Sequence, residues 1–164
     1  SRASDTLELP CTDYDLKELT DSVVTGDTVG GVDDGFGACS FDGGAPDDVW
    51  MVSFPGNLTS LHATTDGTGF DTVLYIQSGA CGGPTLGCND DSGAGLQSTV
   101  DLGATAAGLY FIVVDGYGSN AGPYTLTVTG VVGAGQACDP DQIAGGIVTC
   151  GGGTSCNAGT HICQ

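Results

Sequence analysis

Asn89, Asp90 and Asp91 follow directly on Cys88 in the run CGGPTLGCNDDSG (81–93), so two carboxylates stand side by side in a chain of formal charge −18. Neighbouring carboxylates repel, and such a run calls for full solvation or for a cation. Calcium draws roughly six to eight oxygens from carboxylates, amide and backbone carbonyls and water. Asp71, Asn89, Asp90 and Asp91, with loop carbonyls, can supply that set, and Asp48 and Asp115 stand at the ends of apolar runs that would bring them to the same edge. Magnesium fits less well, because it demands near-octahedral geometry and keeps its waters. The spacing does not match an EF-hand loop. The competing reading is an acidic hairpin turn in which Asn and Asp hydrogen-bond their own backbone.

Chemistry of other kinds finds little support. Acyl transfer by serine needs a nucleophile held on a histidine that a carboxylate orients, and no G-x-S-x-G run occurs; His62 and His161 stand apart. A cysteine nucleophile needs an unpaired thiol, whereas the cysteine count is eight, an even number. No enzymatic activity is expected. Lys and Arg total two against twenty Asp and Glu. Two basic residues can neutralise few phosphates, so binding to nucleic acid or to an anionic lipid surface is disfavoured. No apolar run is long enough to span a membrane. Asn57 heads an N-L-T glycosylation pattern. Tyr75, Tyr110, Tyr117 and Tyr124 raise the question of an aromatic sugar-binding platform, against the plainer reading of strand tyrosines in the core or at its rim.

The cysteines lack CxxC or Cys/His metal spacing and read as four disulfides formed in an oxidising compartment. Cys81 and Cys88 flank a Gly-Gly-Pro turn and are expected to close on each other. Cys138, Cys150, Cys156 and Cys163 are expected to pair among themselves, as 138–156 and 150–163, which leaves Cys11 for Cys39, the alternative being a bond from Cys11 to another subunit. The chain from Ser1 reads as a mature export product whose signal peptide has been removed.

The elements that must position the acidic run are strands. Trp50, Val52 and Phe54 alternate with Met51 and Ser53, and Tyr124, Leu126 and Val128 alternate with threonines at 125, 127 and 129. Period two with threonine outward means half-buried antiparallel strands. DTVLYIQ (71–77) is apolar on both faces and reads as a central strand, and Tyr110, Ile112 and Val114 mark another. Further strands are expected near 5–9, 21–27, 57–64 and 97–102; only YDLKELT (14–20) has a helical pattern. About eight such strands predict an all-β, two-sheet antiparallel sandwich, jelly-roll-like, with a small disulfide-stapled C-terminal appendage. The organisation expected is an N-terminal segment (1–20) able to act as an exchanged or edge strand, a sandwich (21–130), and a glycine-rich joint with a cysteine-rich module (131–164).

FDTVLYI, the cysteine-flanked loop, NDDSG, an L-x-S strand, YFIVVDGY and GPYTLTV occur in that order within residues 70–130. This run resembles the bacterial pre-peptidase C-terminal domain, with GDT (26–28) and DVW (48–50) extending the likeness upstream. The resemblance implies a jelly-roll-like sandwich, exported and non-catalytic, often attached to a secreted hydrolase. The tail is similar to small modules of secreted proteins from predatory and soil-dwelling bacteria. No hydrolase is present in these 164 residues, so the expectation is a calcium-stabilised extracellular subunit that associates with copies of itself into a filament or matrix at the cell surface. The second reading is a binding module for an extracellular polysaccharide or protein.

Overall fold

A computed structural model describes residues 16–33, 39, 44–92, 95–138 and 146–164. Among them there is no helix, and therefore none long and apolar enough to cross a membrane. The strands are β1 (Leu16–Glu18), β2 (Val23–Asp27), β3 (Asp48–Phe54), β4 (Leu58–Thr64), β5 (Thr72–Ser78), β6 (Thr85–Asn89), β7 (Thr99–Leu102), β8 (Gly108–Gly116), β9 (Pro123–Val132) and β10 (Val148–Cys150). They form two sheets. The first runs β1-β3-β8-β5-β6, and the second β10-β9-β4-β7 with β2 also on β9. Every ladder is antiparallel except those of β1 with β3 and β10 with β9. The two-sheet sandwich expected from alternation is the architecture found.

Alternation places the core. Tyr124, Leu126 and Val128 of β9 meet Trp50, Val52 and Phe54 of β3, Leu74 and Ile76 of β5 and Ile112 and Val114 of β8 between the sheets. β5 lies between β8 and β6, and its other face, Val73 and Tyr75, joins Val49, Phe111, Val113 and Cys81 in a second cluster outside the first sheet. That is why DTVLYIQ is apolar on both faces. Strand β9 shows how the tail is attached: β4 follows one of its edges, while β2 and β10 divide the other. Ile147, fully buried, and Cys138 and Cys163 belong to the main core. Thus the cysteine-rich residues share their packing with the sandwich.

Three segments differ from expectation. Leu16–Glu18, inside the helical pattern of 14–20, is strand β1. A single short amphipathic turn has no stability of its own, and here the Leu19 side chain enters the core while its N–H bonds Met51 O. β6 occupies what reads as a disulfide loop, and β10 a tail with no visible periodicity. The segment 5–9 lies outside the described residues.

Disulfides Cys138–Cys156 and Cys150–Cys163 form as expected. The expected Cys81–Cys88 and Cys11–Cys39 pairs are corrected, because Cys88 is bonded to Cys39. From Thr85 to Cys88 the chain is extended strand, which carries Cys88 about 10 Å from the turn that holds Cys81, beyond the reach of a bridge. Cys81 is bonded to a partner outside the described residues, where Cys11 also lies. Closing the 49-residue separation of Cys39 and Cys88 contributes about 4 kcal/mol in the chain-entropy account.

One polar network joins the sheets. Trp50 Nε1 donates to Tyr124 Oη (2.8 Å), Tyr124 Oη donates to Asp48 Oδ2 (2.6 Å), and Lys17 Nζ lies 3.0 Å from Asp48 Oδ1. Asp48 is 2% exposed. Gly26 of β2 lies against the Tyr124 ring, where a Cβ would overlap the hydroxyl. Replacing Lys17 by Met removes the cation and leaves a buried carboxylate. Lys17→Met is expected to cost about 2–3 kcal/mol in urea unfolding, and Lys17→Met with Asp48→Asn clearly less than that.

Candidate metal centre

Asp71 precedes β5, and Asp90 and Asp91 follow β6. Because β5 and β6 pair antiparallel, with Leu74 opposite Asn89, the start of one strand and the end of the other meet at one end of the first sheet. There one carboxylate oxygen from each of Asp71, Asp90 and Asp91 lies within 4.8 Å of the other two. Oxygens around a calcium ion at about 2.4 Å lie at most about 4.8 Å apart, so the three carboxylates are close enough together to share one such ion.

The loop bearing these residues is fixed from beneath by buried hydroxyls. Ser98 Oγ donates toward Thr72 O (2.6 Å) and lies against Asp90 O, the Ser98 N–H bonds Thr65 Oγ1 (2.9 Å), and Thr65 Oγ1 contacts Thr72 Oγ1 (2.6 Å). Thr65, Thr72 and Ser98 are fully buried. Ser92 Oγ donates to Gln97 O (2.7 Å), and the Gln97 amide donates to Thr68 O (2.8 Å). Sequence reasoning missed this hydroxyl layer, although Thr64-Thr65 and Ser98-Thr99 flank the strands that carry it.

Against this satisfied frame, Oδ1 of Asp71 and Oδ1 of Asp90 are buried and accept no hydrogen bond. Loss of solvent, and then the charge of Asp91, hold the Asp71 carboxyl above its ordinary range. Asp90 is raised by loss of solvent, then by Asp91 and Asp71. Three carboxylates drawn together with two oxygens unsatisfied form a donor set suited to a hard cation.

The remaining candidates lie elsewhere. Asn89 is at the loop but serves it internally: its Oδ1 accepts from Thr99 N (3.0 Å) and its Nδ2 donates to Asp91 O (3.2 Å). Asp48 and Asp115 stand at the same end of the first sheet, where Asp48 is paired with Val114 of β8. Strand parity separates them. Asp48 shares the inward face with Val114 and is taken by Lys17 and Tyr124, whereas Asp115 shares a face with Val113, and its Oδ1 accepts from Gly116 N (2.7 Å). Asn57 is exposed, with Oδ1 accepting from Ala107 N (2.9 Å). Tyr75, Tyr110 and Tyr124 are buried and Tyr117 is 39% exposed, so the four tyrosines form no platform. His62 lies on the outer face of the second sheet with Nδ1 2.6 Å from Asp101 Oδ1.

The pre-peptidase C-terminal domain of a collagenase from Bacillus anthracis is similar in fold, with a TM-score of 0.48 and 13% identity over 70% of this chain and 95% of that one. A periplasmic inhibitor of g-type lysozyme from Aeromonas hydrophila is similar with a TM-score of 0.44 and 13% identity over 71% of this chain and 97% of that one. No family model and no curated protein matches the sequence.

The raised carboxyls set a pH dependence. With no cation bound, folded Asp71 and Asp90 keep their protons to higher pH than the unfolded chain does, so the stability these two groups contribute is greatest below the ordinary carboxylate value of about 4 and declines as pH rises through the raised values. Urea unfolding in chelator between pH 4 and 7 is expected to show this decline, and Asp71→Asn with Asp90→Asn is expected to flatten it. Ser98→Ala, which strips the loop of its buried donor, is expected to cost about 1–3 kcal/mol by the same measurement.

Proposed function

We propose that the protein is an exported, non-catalytic structural subunit that binds calcium at Asp71, Asp90 and Asp91 and associates with copies of itself in an extracellular filament or matrix. The observation that carries the calcium part is the pair of buried, unsatisfied oxygens on Asp71 and Asp90 beside a third carboxylate. A divalent ion removes their repulsion and accepts the lone pairs that no protein donor reaches. Backbone carbonyls of the loop and water complete a shell of the size calcium prefers. Disulfides in both the sandwich and the tail accord with an oxidising compartment. The charge of −18 opposes contact between copies, and a bound cation lowers that barrier locally. The burial of Tyr75, Tyr110 and Tyr124 weighs against a glycan-binding role built on aromatic stacking.

Thermal unfolding of the disulfide-intact chain in millimolar calcium and in excess chelator, at fixed ionic strength, tests the ion. A ligand at about 100 times its dissociation constant adds about 2.7 kcal/mol, which raises the midpoint by roughly 5 °C or more. That rise is expected for the wild type and is expected to vanish in Asp90→Asn with Asp91→Asn; equal midpoints in calcium and chelator would leave an acidic turn. Sedimentation velocity over a wide concentration range in calcium tests association, and a monomer at every concentration rules out the subunit role.

A further inference from the structure

Lys17, the single lysine of the chain, reaches from β1 to the first residue of β3. Its Nζ lies 3.0 Å from Asp48 Oδ1, and so no more than about 4.3 Å from Asp48 Cγ. The other oxygen, Oδ2, accepts from Tyr124 Oη at 2.6 Å, and Trp50 Nε1 donates to that Oη at 2.8 Å. One carboxyl group thus faces an amine with one oxygen and a polarised hydroxyl with the other. Asp48 is 2% exposed, so water is kept from its carboxyl carbon. The Lys17 side chain is 32% exposed, which leaves a path from the amine to solvent. Gly26 makes room for the Tyr124 hydroxyl, which a Cβ there would overlap.

We infer that Lys17 and Asp48 condense into an isopeptide bond that joins β1 to β3. The ion pair described above is the reactant. One proton passes from the Nζ ammonium to Oδ1, and a small turn of the flexible lysine stem brings the neutral amine onto Cγ. Charge then gathers on Oδ2, where the Tyr124 hydroxyl, polarised by Trp50, is already aimed. Oδ1 leaves as water with a second proton from Nζ. The Nζ–Cγ bond forms and the Cγ–Oδ1 bond breaks, so one ammonium and one carboxylate become one amide and one water. Pairing of β1 with β3, Lys17 beside Trp50, holds the two groups together, which makes the step unimolecular. The product carries no charge, so the cost of keeping a carboxylate out of water disappears. Burial of Asp48 then shields the amide from hydrolysis.

The test reads the mass of the full chain, folded with its disulfides intact and held at neutral pH until the mass no longer changes, then reduced, alkylated and denatured. The wild type is expected to weigh one water less than its sequence, with fragment spectra that join Lys17 to Asp48. Trypsin gives a second readout, because Arg2 and Lys17 are its two sites in the chain and an acylated lysine is not cut. The linked chain is therefore expected to stay whole from residue 3 onward. Lys17→Arg keeps the ion pair, but its guanidinium does not condense; it is expected to keep its full sequence mass, to be cut after position 17 and to melt below wild type. Tyr124→Phe keeps the ring and removes the donor, and is expected to lose water about a hundredfold more slowly, with a circular-dichroism spectrum like wild type showing that it folds. A wild type of full mass that trypsin cuts after Lys17 overturns the bond. A link from Lys17 to a different carboxyl overturns the assignment to Asp48. Loss of water at the wild-type rate in folded Tyr124→Phe overturns the role of the hydroxyl. Should Tyr124→Phe not fold, the wild-type mass and Lys17→Arg still decide the bond.

Discussion

Uncompensated negative charge is the constraint on which this structure depends. With two basic residues against twenty acidic ones, most carboxylates must face water, and any that is buried needs a donor found within a poor supply. Lys17, the one lysine or arginine among the described residues, is committed to Asp48. That commitment fixes β1 on β3 and, through Tyr124, couples one sheet to the other. Asp115 takes the backbone N–H of its neighbour. Asp71 and Asp90 each keep an oxygen with no donor, which is where the shortage of cations in the sequence becomes visible in three dimensions.

The same shortage shapes the core and its supports. Hydroxyls take the place that charged pairs hold in other proteins: Thr65, Thr72 and Ser98 are buried and mutually bonded, and they hold the acidic loop against the end of the sheet. Disulfides do the remaining tethering. Cys39–Cys88 ties a distant segment to β6, and two bridges hold the tail beside β9. Covalent and hydroxyl contacts need no cation, and a chain of this composition relies on them.

Much of this was legible in the order of residues. β3, β8 and β9 announce themselves by alternation and β5 by an unbroken apolar run, because one or both faces must be buried along their length. β1 and β10, three residues each, carry no period, and their structure comes from the neighbour they lie on. β6 was hidden by Gly87 and Cys88, which read as loop residues until the close approach of Val100 requires the glycine. The acidic site was legible in part. Asp71, Asp90 and Asp91 were placed together by the order of the strands, and Asp48 and Asp115 were placed at the right end of the sheet. Which face each occupies depends on a register of one residue, and the donors that claim them come from β1 and from the adjacent backbone. The Cys39–Cys88 pair was illegible for a related reason: short spacing favours Cys81 and Cys88, but β6 is extended between them.

The two bridges of the tail interleave, Cys138–Cys156 and Cys150–Cys163, with β10 lying between their first members on the edge of β9. Tension applied beyond Cys163 is therefore passed by the Cys150–Cys163 bridge to β10 and its ladder with β9. The chain from Cys138 to Cys163 cannot be drawn out to its contour length, and force passes through it into β9, the strand that also holds β2 and β4. The stapled segment from Cys138 to Cys163 thus yields far less length under tension than its residues would without the bridges.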